Sequence, residues 1–383
     1  MTAHLDFALA LYEELSERAP ATGNLVWSPY SVAAALGITA TGARGRTYDE
    51  LAQALGGDVA GLGRRLADAA RVDGAEMAVA NTLWTRLGVT ADDDYQRAVV
   101  GWPGGALHAA DFGADPEGSR VKINADVAKT TRGLIKELLA QGTITADTAA
   151  VVVNALYLKA AWLKRFGEHA TRPRRFRAPS GKRDVPSMHQ RERMPYAATR
   201  GWSMVTLPTT ASDAREATDG TPGDSTRRAG AASNQQGQVV ADVLLPDGEL
   251  THPDAATLAG LYDSAATAEV DLILPRFRVD TSARLNDPLR ALGIGTAFDG
   301  EHADFSGITR DQRIYIDQVV HQAVLDVDEQ GFEGAAATAV AFALAAALPP
   351  SRPVTFHVDR PFLVLVRHQP TGAIYFFARV TEP

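Results

Sequence analysis

The sequence contains no cysteine among its 383 residues. Disulfide bonds, thiol catalysis and cysteine-ligated metals are therefore excluded. The histidines, including His108, His169, His189 and His252, also lack the spacing of metal ligands. We therefore expect neither a metal nor any other cofactor.

No run of apolar residues reaches the length of about 20 that a membrane-spanning helix requires. Residues 1–4 lack the basic region of a secretory signal peptide, and the apolar residues that follow have the spacing of an amphipathic helix. We therefore expect no membrane partner and a cytoplasmic location, or secretion if a leader was removed.

An excess of positive charge is also absent, because the net charge is −8. This balance argues against nucleic acid as a partner. Four arginines lie within residues 172–177, a pattern that can bind heparin or phosphate, but no lysine-rich helix accompanies them. A solvated surface is the favoured interpretation of that run.

Helical patterns predominate in the first third of the chain and strand patterns in the last half. Residues 4–19 and 121–139 have helical spacing, and residues 24–37 predict a short strand followed by a helix capped by Ser28. Because strands and helices do not alternate regularly, we predict an α+β fold with largely antiparallel sheets in one domain, residues 1–383. Strands are predicted at residues 75–85, 149–159, 239–245, 270–274, 314–316, 321–327, 362–366 and 374–378.

Residues 209–238 stand apart because they contain no Ile, Leu, Val, Met, Phe, Tyr or Trp. A segment of this composition has no apolar side chain with which to join a core. We predict a mobile surface loop over this range.

Residues 334–348 carry no charge and no proline, and two prolines follow them. Such a segment is able to join the middle of a sheet, because every residue has a backbone N–H donor and no charged group has to be desolvated. The bulkier side chains share one parity, which is typical of a strand: Phe332, Thr338, Val340, Phe342 and Leu344. Nine of the fourteen residues 335–348 are alanine, so a buried helix is the alternative.

Six short motifs are spread along the chain between about residue 5 and residue 381. They are Asn24-x-x-x-Ser28-Pro29-x-Ser31 with residues 42–47, residues 154–162, Leu274-Pro275-Arg276-Phe277, residues 303–308, residues 320–340, and residues 359–362 with 372–376. In this order and at this spacing they resemble the serpins, a family of suicide protease inhibitors. Each motif alone is weak, but six in order are specific.

The resemblance implies an α+β fold with three β-sheets, about nine helices and an exposed reactive-centre loop. It also implies that a serine protease cleaves the loop, forms an acyl-enzyme and is trapped when the loop inserts into the central sheet, a documented case of strand addition. The chain is then not an enzyme, and its partner is a serine protease bound covalently to a monomer. A non-inhibitory member acting as a protease substrate, binding protein or chaperone-like protein is the alternative.

Residues 329–353 resemble the hinge and reactive-centre loop of the family. The resemblance implies the family's usual count of sixteen residues from this glutamate, Glu329, which places the scissile bond between Ala345 and Ala346; a shift of one residue gives Leu344–Ala345. Alanine suits an elastase-like or subtilisin-like protease, and leucine suits a chymotrypsin-like one. The hinge residues are Glu329, Gly331, Phe332, Glu333, Gly334, Ala335, Ala336 and Ala337.

Phe332 departs from the family pattern, in which the first inserting position is usually small. A bulky ring there predicts crowding of the sheet and slower insertion. Slow insertion would let the protease escape, leaving a substrate instead of an inhibitor. This residue is the reason for keeping the non-inhibitory alternative.

Ser28, Ser31, Asn154 and His321 are residue types that also occur in Ser-His hydrolases. Neither serine lies in a Gly-x-Ser-x-Gly elbow, which argues against a hydrolase. The resemblance implies instead a buried polar cluster beneath the opening sheet, where His321 and Asn154 hydrogen-bond across strands. It also implies that Trp162 is the aromatic residue at the top of the sheet, where insertion starts.

Overall fold

The computed structural model describes residues 2–20, 22–211, 236–332 and 352–383. Within these ranges, the helices lie mainly in the first third of the chain. The eight α-helices of these residues are α1 (Thr2–Arg18), α2 (Pro29–Gly42), α3 (Gly45–Ala54), α4 (Val59–Ala69), α5 (Asp93–Val100), α6 (Pro116–Thr130), α7 (Ala255–Ser264) and α8 (Asn286–Ala291). None of the eight is long and apolar enough to cross a membrane.

Helix α1 confirms the helix predicted at residues 4–19, whereas α6 covers only part of the helix predicted at residues 121–139. After α6 ends, Arg132 and Gly133 have φ angles of 54° and 80°. A right-handed helix cannot continue through such residues. The apolar residues beyond Thr130 therefore have the spacing of a helix, although they are buried in an irregular segment.

Strands make up most of the second half of the chain. Those of the described residues are β1 (Leu25–Trp27), β2 (Ala75–Arg86), β3 (Gly105–Ala110), β4 (Ala150–Ala161), β5 (Arg172–Ala178), β6 (Gly181–Thr199), β7 (Trp202–Thr210), β8 (Gln236–Pro246), β9 (Ala266–Pro275), β10 (Phe277–Arg284), β11 (Gln318–Val327), β12 (Gly331–Phe332), β13 (Val354–His357), β14 (Phe362–His368) and β15 (Ile374–Val380).

These strands form two hydrogen-bonded sheets within the described ranges. In the six-stranded sheet the order is β10-β11-β12-β4-β2-β3, and β11 also pairs directly with β4. In the nine-stranded sheet the order is β1-β15-β14-β8-β7-β6-β9-β13, and β5 pairs with β6. The resemblance implies three sheets. Two of these three are joined here into the nine-stranded sheet, because the long β6 pairs with β5, with β9 and with β7 along its length.

The strand predicted at residues 314–316 is wrong, although the other predicted strands all coincide with observed ones. Ile314 and Ile316 are buried, but the segment around them is irregular. The Ile316 N–H donates to the carbonyl of Ala297, at 2.9 Å. Two buried isoleucines separated by one residue reproduce the spacing of a strand without belonging to a sheet.

Both ends of the range 209–238, predicted as a mobile loop, belong to strands. Thr209 and Thr210 belong to β7, and residues 236–238 belong to β8. The Thr209 hydroxyl donates to the carbonyl of Val239 at 2.7 Å, which fixes the end of β7 against β8. Residues 212–235 lie outside the described residues, so a mobile loop there stays a prediction.

Helix α2 passes through the core and packs against β2, β4 and β15. As predicted, Ser28 caps it, since its hydroxyl accepts a hydrogen bond from the Ser31 N–H at 3.1 Å. Nearly every residue of α2 is buried, which explains its small side chains. A methyl group at Gly37, for example, would lie 2.2 Å from the ring of Trp102.

A buried ion pair joins three strands of the nine-stranded sheet to α7. The fully buried carboxylate of Asp242 in β8 accepts hydrogen bonds from Arg367 Nε in β14, at 2.5 Å, and from Thr206 Oγ1 in β7, at 2.6 Å. The Arg367 guanidinium lies 4.6 Å from the ring centroid of Tyr262 in α7. Removing either charge would leave the other one buried without a counter-ion.

Asp242→Asn is expected to lower the free energy of unfolding by about 3–5 kcal/mol, because the mostly buried guanidinium of Arg367 then has no counter-ion. Urea unfolding followed by circular dichroism measures this loss. Asp326→Asn is the matched control, since Asp326 pairs with Arg278 at 2.9 Å on the surface and should cost less than about 1 kcal/mol. Equal losses in the two variants would contradict the assignment.

Candidate functional site

Strands β4 and β11 pair directly at one end of the six-stranded sheet and are separated at the other. Residues 318–322 of β11 lie in parallel register with residues 151–155 of β4. At the separated end, β12 lies between them and is antiparallel to both, with Phe332 opposite Val327 on one side and Ala160 on the other. The first hinge residues thus already form a short central strand.

A tight turn over residues 328–331, the hinge turn, connects β11 to β12. The Asp328 carboxylate accepts hydrogen bonds from the backbone N–H groups of Gln330 and Gly331, at 2.8 and 3.2 Å. A Cβ atom at Gly331 would lie 2.0 Å from the carbonyl oxygen of Ala160. Only glycine therefore fits here, because the backbone at residue 331 lies so close to β4.

Phe332 is fully buried at the top of the sheet and packs against Trp162. The two ring centroids are 5.0 Å apart and the rings are nearly perpendicular, at 89°, an edge-to-face geometry that aromatic pairs favour. Trp162 Nε1 also donates to the carbonyl of Asp328 at 2.9 Å. Phe332 is thus buried beside Trp162 with its side chain facing inward, and its predicted effect on insertion stays a prediction.

Glu329, in the hinge turn, is held by an ion pair whose partners the sequence did not reveal. Arg276 Nε donates to its carboxylate at 2.7 Å, and the hydroxyl of Thr171 donates to the same oxygen. Burial by itself raises the pKa of Glu329, but the hydrogen bonds from Arg276 and Thr171 outweigh it and hold the pKa below its usual value. The only signal in the sequence was the Leu274–Phe277 motif, which carried no assigned role.

The other predicted hinge and cleavage residues cannot be placed in the same way. They lie outside the described residues: Glu333, Gly334, Ala335, Ala336, Ala337, Leu344, Ala345 and Ala346. Their roles stay predictions. The described part of the hinge consists of Glu329, Gly331 and Phe332 with the residues between them.

The polar cluster predicted beneath the sheet comes together where β4 and β11 pair. Asn154 is opposite His321 in the ladder, and its Oδ1 lies 2.5 Å from His321 Nδ1. Asn154 Nδ2 donates to the hydroxyl of Ser31 at 2.6 Å, and the Ser28 N–H donates to His321 Nε2 at 3.0 Å. All four residues are fully buried.

Asn81 of β2 is a fifth member of the polar cluster, and sequence reasoning missed it. Its Oδ1 accepts hydrogen bonds from the Ser31 hydroxyl at 2.9 Å and from Asn154 Nδ2 at 2.5 Å. Its Nδ2 donates to the carbonyl of Pro103 at 2.8 Å. A lone asparagine in a strand carries no local signal of a partner 73 residues away in the chain.

The hydrogen bonds of the cluster define the protonation of His321. Nε2 accepts from the Ser28 N–H, so it carries no proton, and Nδ1–H donates to Asn154 Oδ1. Burial is the main cause that lowers the pKa of His321 to about 3, although the contact with Asn154 opposes it. Both serine hydroxyls are bound elsewhere, so the arrangement ties strands and helix together and does not activate a nucleophile.

Comparison with known proteins places the chain in a family. A family model described as Serpin (serine protease inhibitor) matches residues 2–383, so the chain belongs to the serpins. It is 34% identical to Serpin-Z2A of Oryza sativa subsp. japonica, covering 98% of this chain and 96% of that protein. It is 32% identical to the leukocyte elastase inhibitor of Sus scrofa, covering 100% and 98%.

Solved structures agree with this assignment. Native protease nexin-1 with heparin superposes with a TM-score of 0.81 at 25% identity, covering 98% of this chain and 97% of that one. Uncleaved ovalbumin has the same TM-score at 22% identity, covering 100% and 99%, and shows the fold alone. Metastability and loop insertion are characteristic of this fold.

Because folded His321 is buried and neutral, we expect acid to lower the free energy of unfolding. An unfolded histidine binds a proton near pH 6.5, whereas folded His321 does so only near pH 3. The unfolded state therefore binds more protons between these values, and stability that is present above pH 6.5 is lost progressively as the pH falls toward 3. By pH 4 this loss amounts to about 3 kcal/mol.

Urea unfolding midpoints at pH 4, 5, 6 and 7 check this expectation. His321→Gln should show the shallower pH dependence, because the group that takes up the proton is gone. His302→Gln, which changes an exposed histidine, should keep the pH dependence of the wild type. Parallel curves for His321→Gln and the wild type would contradict the role of the imidazole.

Proposed function

We propose that the chain inhibits serine proteases by cleavage of its reactive-centre loop, trapping of the acyl-enzyme and insertion of the loop between β4 and β11. The observation that carries the proposal is β12, which pairs with both strands at the separated end of the sheet. Relatives over nearly the whole chain include proteins named leukocyte elastase inhibitors. The partner is accordingly a serine protease in a covalent complex with a monomeric inhibitor.

The hydrogen bonds of the sheet supply the driving force. Residues 318–322 of β11 pair directly with β4, and this pairing must open before a strand can extend from Phe332. An inserted antiparallel strand replaces one ladder by two, and each additional hydrogen bond contributes about 0.5–1.5 kcal/mol. Residues 334–348 carry neither charge nor proline, so insertion desolvates no ionised group.

The target class follows from the residues at the expected scissile bond. Ala345–Ala346 suits elastase-like and subtilisin-like proteases, and Leu344–Ala345 suits chymotrypsin-like ones. The names of the elastase-inhibiting relatives support the first assignment. Nucleic acid and membranes are not part of the proposed function, which needs only the loop and the sheet.

A non-inhibitory serpin is the second candidate, and Phe332 favours it. The ring fills the space beside Trp162, which keeps the hinge in place. A hinge that is stabilised in this position can delay further insertion until the protease has escaped. Melting temperature separates the candidates, because loop cleavage should raise it strongly if the cleaved loop inserts and little if it does not.

Incubation with pancreatic elastase is expected to produce a complex that survives denaturing electrophoresis. Mass spectrometry should find the released C-terminal fragment beginning at Ala346. Ala345→Arg should transfer inhibition from elastase to trypsin, because an arginine side chain would then occupy the position that selects the protease. A fragment beginning at Ala345 would instead establish the Leu344–Ala345 bond.

Clean cleavage of the wild type without a covalent complex would contradict the inhibitory function and support the second candidate. In that case the melting temperature of the cleaved chain gives the deciding measurement. Resistance to elastase, subtilisin and chymotrypsin alike would contradict both the proposed target class and the proposed cleavage site.

The buried side chain of Phe332 predicts which positions face inward during insertion. If the strand continues with the same alternation, Thr338 faces the core and Ala337 faces outward. Thr338→Arg should therefore abolish complex formation, because a buried arginine would be uncompensated. Ala337→Arg is the matched control and should retain most of it.

The ratio of inhibitor to protease needed for complete inhibition measures this difference. Thr338→Arg should be consumed as a substrate, whereas Ala337→Arg should stay close to the wild type. Equal losses would show that the alternation seen at Phe332 does not continue into the loop.

A further inference from the structure

A cavity of about 620 Å³ opens between α1, the turn from β5 to β6 and the end of β15. We call it the α1–β15 cavity; Tyr12, Arg177, Leu250, Arg360 and Arg379 are among the residues that line it. Its volume lies within the range of about 300–1,000 Å³ that is typical of small-molecule sites. None of its described lining residues belongs to the hinge turn, to β12 or to the polar cluster.

Arg379 of β15 is buried beside this cavity without a counter-ion. Only 5% of its surface is exposed. Its Nε and Nη2 donate to the backbone carbonyls of Gly23 and Pro20, at 3.1 and 3.0 Å. Within the described residues the guanidinium forms no ion pair, although a buried charge is costly unless an opposite charge lies nearby. An anion in the cavity would supply that opposite charge.

Two further guanidinium groups line the cavity and share a single carboxylate. Arg177 Nη2 and Arg360 Nη1 both donate to Asp359 Oδ1, each at 2.9 Å. One carboxylate compensates only one of these two positive charges. Three guanidinium groups, including that of Arg379, are thus accompanied by one paired carboxylate.

Two carboxylates also line the cavity, those of Asp247 and Glu249 in the turn that follows β8. Both residues are exposed, so water and salt screen their charges more strongly than they screen the charge of buried Arg379. The attraction for an anion is therefore strongest at Arg379, and these two residues weaken it without cancelling it.

The ring of Tyr12 forms part of the cavity wall and is fixed by its neighbours. It is stacked on Phe377, with ring centroids 4.2 Å apart, and meets His252 edge-on at 5.0 Å. Its hydroxyl is buried and has no partner in hydrogen-bond geometry within the described residues. Burial raises the pKa of Tyr12, whereas Ser16 and the nearby charge of Arg379 oppose that rise. The hydroxyl is thus a second donor close to Arg379.

Apolar side chains complete the wall of the cavity. Pro179, Leu250 and Pro361 contribute apolar surface next to the charged groups. Ligand sites commonly combine such surface with a few polar groups that fix the orientation of the ligand. The α1–β15 cavity has both parts, a cationic group at Arg379 and an apolar lining.

We propose that the α1–β15 cavity binds a small aromatic monocarboxylate. The carboxylate pairs with Arg379, and the ring of the ligand lies against Leu250 and the neighbouring prolines. This site is separate from β4, β11 and β12, so it exists or fails independently of the proposed inhibitory function.

Isothermal titration calorimetry of the intact chain with cinnamate tests the site. Binding should be one-to-one at low ionic strength and should weaken as salt is added, because salt screens the attraction to Arg379. Cinnamamide has nearly the same shape but no charge. It should bind about tenfold more weakly or worse, since it cannot accept a charge-assisted hydrogen bond.

Two variants and a matched control locate the bound cinnamate. Arg379→Gln should weaken binding by about tenfold or more. Because Arg379 also holds the carbonyls of Gly23 and Pro20, Leu250→Trp provides a second variant, which fills the cavity and keeps every charge; it should weaken binding as strongly. Glu249→Gln removes a charge of the opposite sign from the same cavity and should leave the affinity unchanged or slightly higher.

Equal affinity for cinnamate and cinnamamide would overturn the proposal, and so would unchanged affinity in Leu250→Trp. Absence of any binding at millimolar cinnamate would overturn it as well. If Glu249→Gln weakened binding as much as Arg379→Gln, the charge of Arg379 would not be the cause, and the assignment of the carboxylate to Arg379 would be wrong.

Discussion

The separation of β4 from β11 is the constraint on which the rest of this structure depends. Backbone donors and acceptors at facing strand edges must be satisfied. Here they pair with each other at one end and with β12 at the other. Any further strand must be antiparallel, free of proline and free of charge. Residues 334–348 meet these requirements, and the Gly331 backbone can pass Ala160 because it has no side chain.

The two ends of this opening are held by different chemistry. At the paired end, directional hydrogen bonds among Ser28, Ser31, Asn154 and His321 must break before the strands can part. Buried polar networks specify one arrangement, because each unsatisfied group is costly. At the open end, the edge-to-face packing of Phe332 on Trp162 holds the hinge together with the ion pair between Glu329 and Arg276. Hydrogen bonds thus join the strands at the paired end, whereas aromatic packing and an ion pair hold the hinge at the open end.

In the proposed function, the chain acts through the pairing of its strands instead of through a reactive side chain. The chain belongs to the serpins, and the residues that resemble a hydrolase site are joined to one another by hydrogen bonds between β4, β11 and the start of α2. The segment that a protease would cleave in the proposed function connects β12 of one sheet to β13 of the other.

The sequence by itself determined the family, the position of nearly every predicted strand, the Ser28 cap and the membership of four residues in the polar cluster. Those features follow from local periodicity, capping chemistry and ordered motifs, which need no knowledge of distant partners. Tertiary structure alone decided that Asn81 joins the cluster, that Arg276 and Thr171 hold Glu329, and that Phe332 fits beside Trp162. These contacts join residues far apart in the chain, so their geometry exists only once the sheets have formed.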